Sequence, residues 1–298
     1  MKVLVAVDGS PKSLDAVKLV GRLVNPTTDA VAVYFSATEL ERQLPGKSHA
    51  VIDGAIAAVR EEASKLLPAG FAREPELITD SQTAAVGILD AAARSKADLL
   101  VVGARGHGAI ESFLLGSVSR AVVHGAHLPV LVARAAPPAG RGLRVLVGHH
   151  PASAAAVAGV VQQLHWPTDT DGRVIGVTEA MLAGPVPAWV KQRLRDPDTA
   201  AIAAAWQHEH DAEVAALGGT LTAFQGTLPP AFRGHEPIVA QGNPGEKILE
   251  RVKADGTDLV IMGRTPADAL SRWLLGSTSE AVLTHGSSSV LLVPVEKR

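Results

Sequence analysis

The chain has 298 residues, about twice the roughly 150 that serve as a soft prior for one domain, and 47% of them are hydrophobic against 19% charged. That balance supports packed cores and excludes a disordered chain. A net charge of −2 with scattered lysines and arginines implies neither nucleic acid nor an anionic membrane as partner, and the lack of cysteine excludes disulfides and thiolate metal sites.

The opening, MKVLVAVDGS, carries five apolar residues before Asp8, too few for the core of a signal peptide. No stretch approaches the ~18 apolar residues of a membrane span. The expectation is a soluble, cytoplasmic protein.

In chain order, KVLVAV is a continuous apolar run, as in a strand buried on both faces of a parallel sheet. Ser10 suits a helix N-cap and Pro11 the first helical position, with Leu14, Val17 and Val20 forming an apolar stripe that ends at Asn25-Pro26. A strand AVAVYF follows, then a helix over 49–67, a strand near 76–79, a helix over 83–95 and the strand DLLVVG. A helix from Ser117 and the strand VLVA at 130–133 close the unit. This β-α alternation predicts a doubly wound parallel sheet, which binds ligands beyond the carboxyl ends of its strands at the switch point in strand order.

The unit then recurs. ADLLVVGARGHGAIESFLLGSVSRAVV, residues 97–123, aligns with TDLVIMGRTPADALSRWLLGSTSEAVL, residues 257–283, at one offset of 160. VAVDGSPKS from Val5 aligns more loosely with VLVGHHPAS from Val145 at an offset of 140, which pairs Asp8 with Gly148. The reading is two domains, 1–136 and 143–298, with RAAPPAGRG as an exposed linker. About 20 extra residues in the second are assigned to an insert near 180–232, a helical segment flanked by LAGPVPAW and GTLPPAF as loops.

Three glycines, Gly103, Gly106 and Gly116, follow the strand DLLVVG. Glycine lets backbone approach a ligand closely and tolerates positive φ, so Gly103 and Gly106 would turn N–H groups toward an anion. The helix beginning at Gly116-Ser117-Val118-Ser119 offers free amides and a partial positive charge suited to phosphate, with Arg105 and Arg120 nearby. The plainer reading is that the glycines shape a loop and Ser117 caps a helix. The chain has no G-x-x-x-x-G-K-[ST], and Glu111 stands where a G-x-G-x-x-G read from Gly106 needs its third glycine.

What the stretch does fit is G-x2-G-x9-G-S, from Gly103 through Gly106 and Gly116 to Ser117. With Asp8 ending the first strand and the closing PVLVAR, the chain resembles the universal stress protein family in its tandem form, a flavodoxin-like fold related to the adenine nucleotide alpha hydrolases. The resemblance implies an ATP-binding regulator of stress response, with or without Mg2+, often a homodimer through its last strand and acting on an unidentified protein partner. Carried over by position, Asp8 and Gly9 meet the adenosine part, and backbone near Phe35 meets the adenine. Val102, Gly103, Arg105 and Gly106 surround the phosphates on one side; Gly116, Ser117, Val118 and Ser119 hold them on the other. Asp8 has a plainer role open to it, capping the helix that follows.

The second copy departs from this pattern. Pro266 replaces Gly106, which removes an N–H and fixes φ, and no carboxylate matches Asp8. Two lost charge-assisted hydrogen bonds, at about 1.5–3 kcal/mol each, would carry a micromolar site to the millimolar range or beyond. The expectation is nucleotide in the first half and little or none in the second. Ser277 and Glu280 keep the S-x-x-E spacing of a capping box, and the strands VLVA and VLLVPV are expected to meet between the halves.

No metal site or catalytic group is assigned. His149 and His150 stand near the second strand-helix turn, while His208 and His210, two apart on a helix, point to different sides and are read as solvent-facing. GNPGEKI, residues 242–248, reads as a turn and helix start, and Trp206 and Trp273 as core. The alternatives carried forward are a slow ATP-hydrolysing or nucleotide-transferring enzyme and a nucleotide-free interaction scaffold.

Overall fold

The first half lays down five strands: β1 (Lys2–Val7), β2 (Ala30–Ser36), β3 (Glu76–Asp80), β4 (Leu99–Gly103) and β5 (Val130–Ala133). Between them run α1 (Pro11–Leu23), α2 (His49–Leu66), α3 (Ala84–Ser95) and α4 (Ser117–Gly125). The structure is a computed structural model and describes residues 1–38, 49–71, 75–80, 82–104, 115–178, 197–264 and 275–295. The second half repeats the order with β6 (Arg144–His149), α5 (Ala154–Gln163), β7 (Asp171–Thr178), α6 (Pro197–Thr227), β8 (Ile238–Gln241), α7 (Pro244–Asp255), β9 (Leu259–Arg264), α8 (Ser277–His285) and β10 (Ser289–Pro294).

Rather than two separate sheets, the ten strands form one, in the order β3-β2-β1-β4-β5-β10-β9-β6-β7-β8. Every pairing within a half is parallel, and β5 meets β10 antiparallel, with Leu131 opposite Leu291. The expected meeting of VLVA with VLLVPV is therefore present. Leu131 and Leu291 are counterparts at the offset of 160, so an approximate twofold axis passes between them.

Strands buried on both faces leave no polar alternation, which is why β1, β4 and β5 read as unbroken apolar runs. One core layer joins α1, α2, α5 and α6 to the sheet through residues such as Val17, Ala63, Val161 and Phe224. The other joins α3, α4, α7 and α8 through Ile88, Val122, Val252 and Val282. Both layers run through the seam without a break.

The start of α1 follows the sequence closely, since Ser10 Oγ accepts from the Ser13 amide at 3.2 Å and Pro11 sits at the first helical position. GNPGEKI behaves likewise: Asn243 caps α7 by accepting from Glu246 N at 3.1 Å. The repeated Asp98 and Asp258 lie at the opposite edge from the glycines. Each carboxylate accepts the amide of the residue opening its half's first strand, Lys2 at 2.6 Å and Arg144 at 2.8 Å.

The extra residues of the second half fall between β7 and β8, where α6 has 31 residues against 18 in α2. GTLPPAF is the end of α6 followed by a turn of 3₁₀ helix, Pro230–Phe232, whose Phe232 packs edge-on to Trp166. LAGPVPAW lies outside the described residues. The linker is tied down at its middle and near its far end, because Arg22 donates to the carbonyls of Pro138 and Arg141. At Gly142 a side chain would collide with the backbone of Asp169.

Candidate functional site

In the first half the chain proceeds from β1 outward to β2 and β3, then returns to the other side of β1 for β4 and β5. The switch point lies between β1 and β4, where Ala6 pairs with Val102. One or two residues further on, β1 delivers Asp8 and Gly9, and β4 delivers Gly103 and Ala104. Phe35 is level with Val7 on the neighbouring strand; its backbone lies at this edge, while its side chain is buried in the core layer of α1 and α2.

Asp8 Oδ1 accepts from the Ser10 amide at 3.0 Å and the Ser10 hydroxyl at 2.6 Å, and Gly9 between them has φ of +80°. The carboxylate thus steadies the first turn of α1, the plainer role the sequence left open for it. A glycine is needed at position 9 because this backbone lies in the left-handed region.

Gly103 is extended strand and Gly116 has φ of −63°, so neither uses the positive φ that glycine permits. Both are tied in through their backbone groups. The Gly116 amide donates to Ala104 O at 2.9 Å, Ala104 N donates to Ala133 O at 2.6 Å, and buried Ser119 donates its hydroxyl to Gly103 O at 2.6 Å. The chain therefore leaves the sheet and returns to it at one point. Val102 is buried beneath, and Arg105 and Gly106 lie outside the described residues.

Gly116 is the N-cap of α4, and among the described residues no side chain caps that helix. The first amides of a helix have no intrahelical acceptor and carry a partial positive charge. Here they belong to Ser117, Val118 and Ser119, of which Ser117 and Val118 are exposed. Ser119 is the exception among the sequence candidates, since its hydroxyl proton is committed to Gly103.

The second half has the same frame with different contents. Strand register pairs Val145 with Leu259 where the first half pairs Val3 with Leu99, an offset of 142 within the first strand. Gly148 therefore occupies the place of Ala6 inside the strand, and His150 stands where Asp8 does, which corrects the alignment at 140. His150 repeats the local capping role, its Nδ1 accepting from Ala152 N at 3.3 Å, but it brings no carboxylate.

At the end of β9, a Cβ on Gly263 would collide with the side chain of Ser153 at the start of α5. Ser279 donates to Gly263 O at 3.2 Å, matching Ser119. Arg264, in the place of Ala104, reaches across the seam to the carbonyls of Val123 and Ala126 at the end of α4, the latter at 2.7 Å. Burial holds its guanidinium below the usual range. His149 packs edge-on to Phe224 at 4.9 Å, and burial, with a smaller contribution from His150, lowers its pKa.

Two further expectations are corrected. Gly276, not Ser277, is the N-cap of α8, so Ser277 and Glu280 form no capping box; Glu280 instead pairs with Arg120 of the first half at 3.0 Å. His210 is buried rather than solvent-facing, with Gln241 Nε2 3.0 Å from its Nε2, while His208 is exposed. Trp206 is partly buried and Trp273 lies outside the described residues. Among the described residues there is no group of three or more histidines, aspartates and glutamates able to hold a metal, and no helix long and apolar enough to cross a membrane.

The sequence model of the Universal stress protein family matches residues 1–134 and again 145–294. The chain belongs to that family, in two tandem copies. Universal stress protein Rv2005c of Mycobacterium tuberculosis is 34% identical over 139 residues, covering 44% of this chain and 45% of that protein. Universal stress protein Rv1996 of the same organism is 28% identical over 202 residues, 66% of this chain and 59% of the relative. The chain thus spans about half the length of the curated relatives it matches. A universal stress protein from Archaeoglobus fulgidus has a similar fold across 99% of this chain and 98% of its own, with a TM-score of 0.61 at 20% identity.

Proposed function

We propose that this chain is an ATP-binding regulatory protein of stress response whose first half holds the nucleotide. Residues 1–136 and 143–298 are its two units, the second carrying an insert near 180–232. The observation that carries the reading is the start of α4: three helix amides with no capping side chain among the described residues, at the switch point of the sheet and beside the Asp8-Gly9 turn. A polyphosphate supplies the acceptors those amides lack. Asp8, Gly9 and the backbone at Phe35 border the space for adenosine, while Val102, Gly103, Gly116, Ser117, Val118 and Ser119 border that for the phosphates, to which the family resemblance adds Arg105 and Gly106. Magnesium, where present, binds the phosphate oxygens.

The second half supports the assignment by contrast. His150 replaces the carboxylate, and the sequence has Pro266, which lacks an N–H, at the position matching Gly106. The role left to that half is to complete the sheet and to hold α4.

Denaturing freshly purified protein and separating the supernatant by chromatography tests the reading. Adenine nucleotide at up to one equivalent per chain is expected, and Gly106→Pro is expected to abolish it. A chain that carries no nucleotide and binds none on titration contradicts the proposal.

A further inference from the structure

Two contacts mark the approximate twofold axis between the halves. In the sheet Leu131 faces its own counterpart, Leu291, and on the helical face Arg120 Nη1 lies 3.0 Å from Oε1 of its counterpart, Glu280. A position that touches its counterpart sits on the axis, where a perfect duplicate would set like charges against each other. This chain has opposite charges there.

Arg120 is the fourth residue of α4, one turn after Gly116, and its amide donates to Gly116 O at 2.9 Å. Side chains on a helix lean toward its N-terminus, so Arg120 overhangs the first turn of α4, whose amides have no intrahelical acceptor. Glu280 stands in the same place over the first turn of α8, with the Thr284 hydroxyl at 3.5 Å. Helix starts attract anions, and a carboxylate already placed over one of them repels a second.

We infer that Glu280 controls phosphate at both helix starts: it excludes polyphosphate from α8 and, through Arg120, tunes the affinity of α4. The inference rests on the reading of α4 as the grip for phosphate. Arg120 is 44% and Glu280 39% exposed, and ion pairs so exposed contribute little and exchange readily. A polyanion arriving at α4 therefore draws Arg120 from Glu280 toward itself, and every bound phosphate competes with that carboxylate. Because Arg264 also grips the far end of α4, the second half holds both ends of this helix. The trailing copy thereby acts on nucleotide binding without binding nucleotide.

Calorimetric titration of the full chain with ATP and with adenosine, in wild type, Glu280→Gln, Arg120→Gln and the double variant, tests this. Glu280→Gln is expected to tighten ATP binding on the order of fivefold and Arg120→Gln to weaken it by a similar factor. The double variant should match Arg120→Gln alone, adenosine should bind all four equally, and raised salt should compress the differences. ATP affinities that do not change among the variants, or adenosine affinities that shift in step with them, overturn the inference while leaving nucleotide binding intact. A wild-type chain that binds neither ligand overturns the nucleotide reading and this inference with it.

Discussion

Tyr34 is the single tyrosine of the chain, and its hydroxyl lies buried beneath the start of α3, donating to Asp80 Oδ1 at 2.9 Å. Gly87 makes room for the pair, since a Cβ there would collide with the hydroxyl. Burial first, and the Asp80 hydrogen bond second, raise the phenol above its ordinary 10.0. A folded-state pKa above the unfolded one contributes stability that is complete below the unfolded value and is lost as pH climbs through the folded one. Unfolding free energy should therefore fall with rising pH above about 10, and Tyr34→Phe should flatten that slope while costing roughly 0.5–1.5 kcal/mol near neutrality for the lost hydrogen bond. Denaturant titrations across the alkaline range check both, and a steep slope unchanged in the variant would contradict the account. Ultraviolet absorbance should show tyrosinate appearing together with unfolding, not before it.

At the scale of elements, the end of a strand and the start of a helix meet closely in the second half. The start of α5 is packed against the end of β9 through Ser153 and Gly263, so Gly263→Ala should destabilise the chain by about 1–3 kcal/mol as an overpacked contact. Thermal unfolding measures this, and nucleotide content should be unchanged. A fall in bound nucleotide at full stability would move the site to the second half. The sequence disclosed those features that depend on neighbours in the chain. Unbroken apolar runs revealed the strands, Ser10-Pro11 and Asn243-Pro244 revealed helix starts, and one offset of 160 revealed the duplication. What it hid depends on partners far away. Aligning by residue type set Gly148 against Asp8, whereas the ladder from β6 to β9 sets His150 there. Glu280 has the spacing of a local cap and makes a bond 160 residues distant. His210 reads as surface on its own helix and is buried by contact with Gln241 on β8. Of the two properties glycine offers, close approach and positive φ, Gly103 and Gly116 do not use the second.

Across the whole molecule, one sheet and two continuous core layers make the halves a single body. The seam between β5 and β10 uses inside one chain the strand edge through which a homodimer was expected to form, leaving β3 and β8 as the outer strands. Contacts across the seam are specific to the unlike halves: Arg120 with Glu280, Arg264 with the end of α4, and Arg134 with the Leu283 carbonyl at the end of α8. Both α4 and α8 begin at a glycine N-cap; on the proposed reading the leading half holds the nucleotide and the trailing half supplies groups that brace α4. The most direct test of that division of labour is a crystal of the full chain soaked in ATP. Electron density for one nucleotide, lying between the Asp8 turn and the start of α4 with none at the start of α8, is the expected result. Nucleotide at α8 alone, or a leading crevice closed by its own side chains, would contradict it.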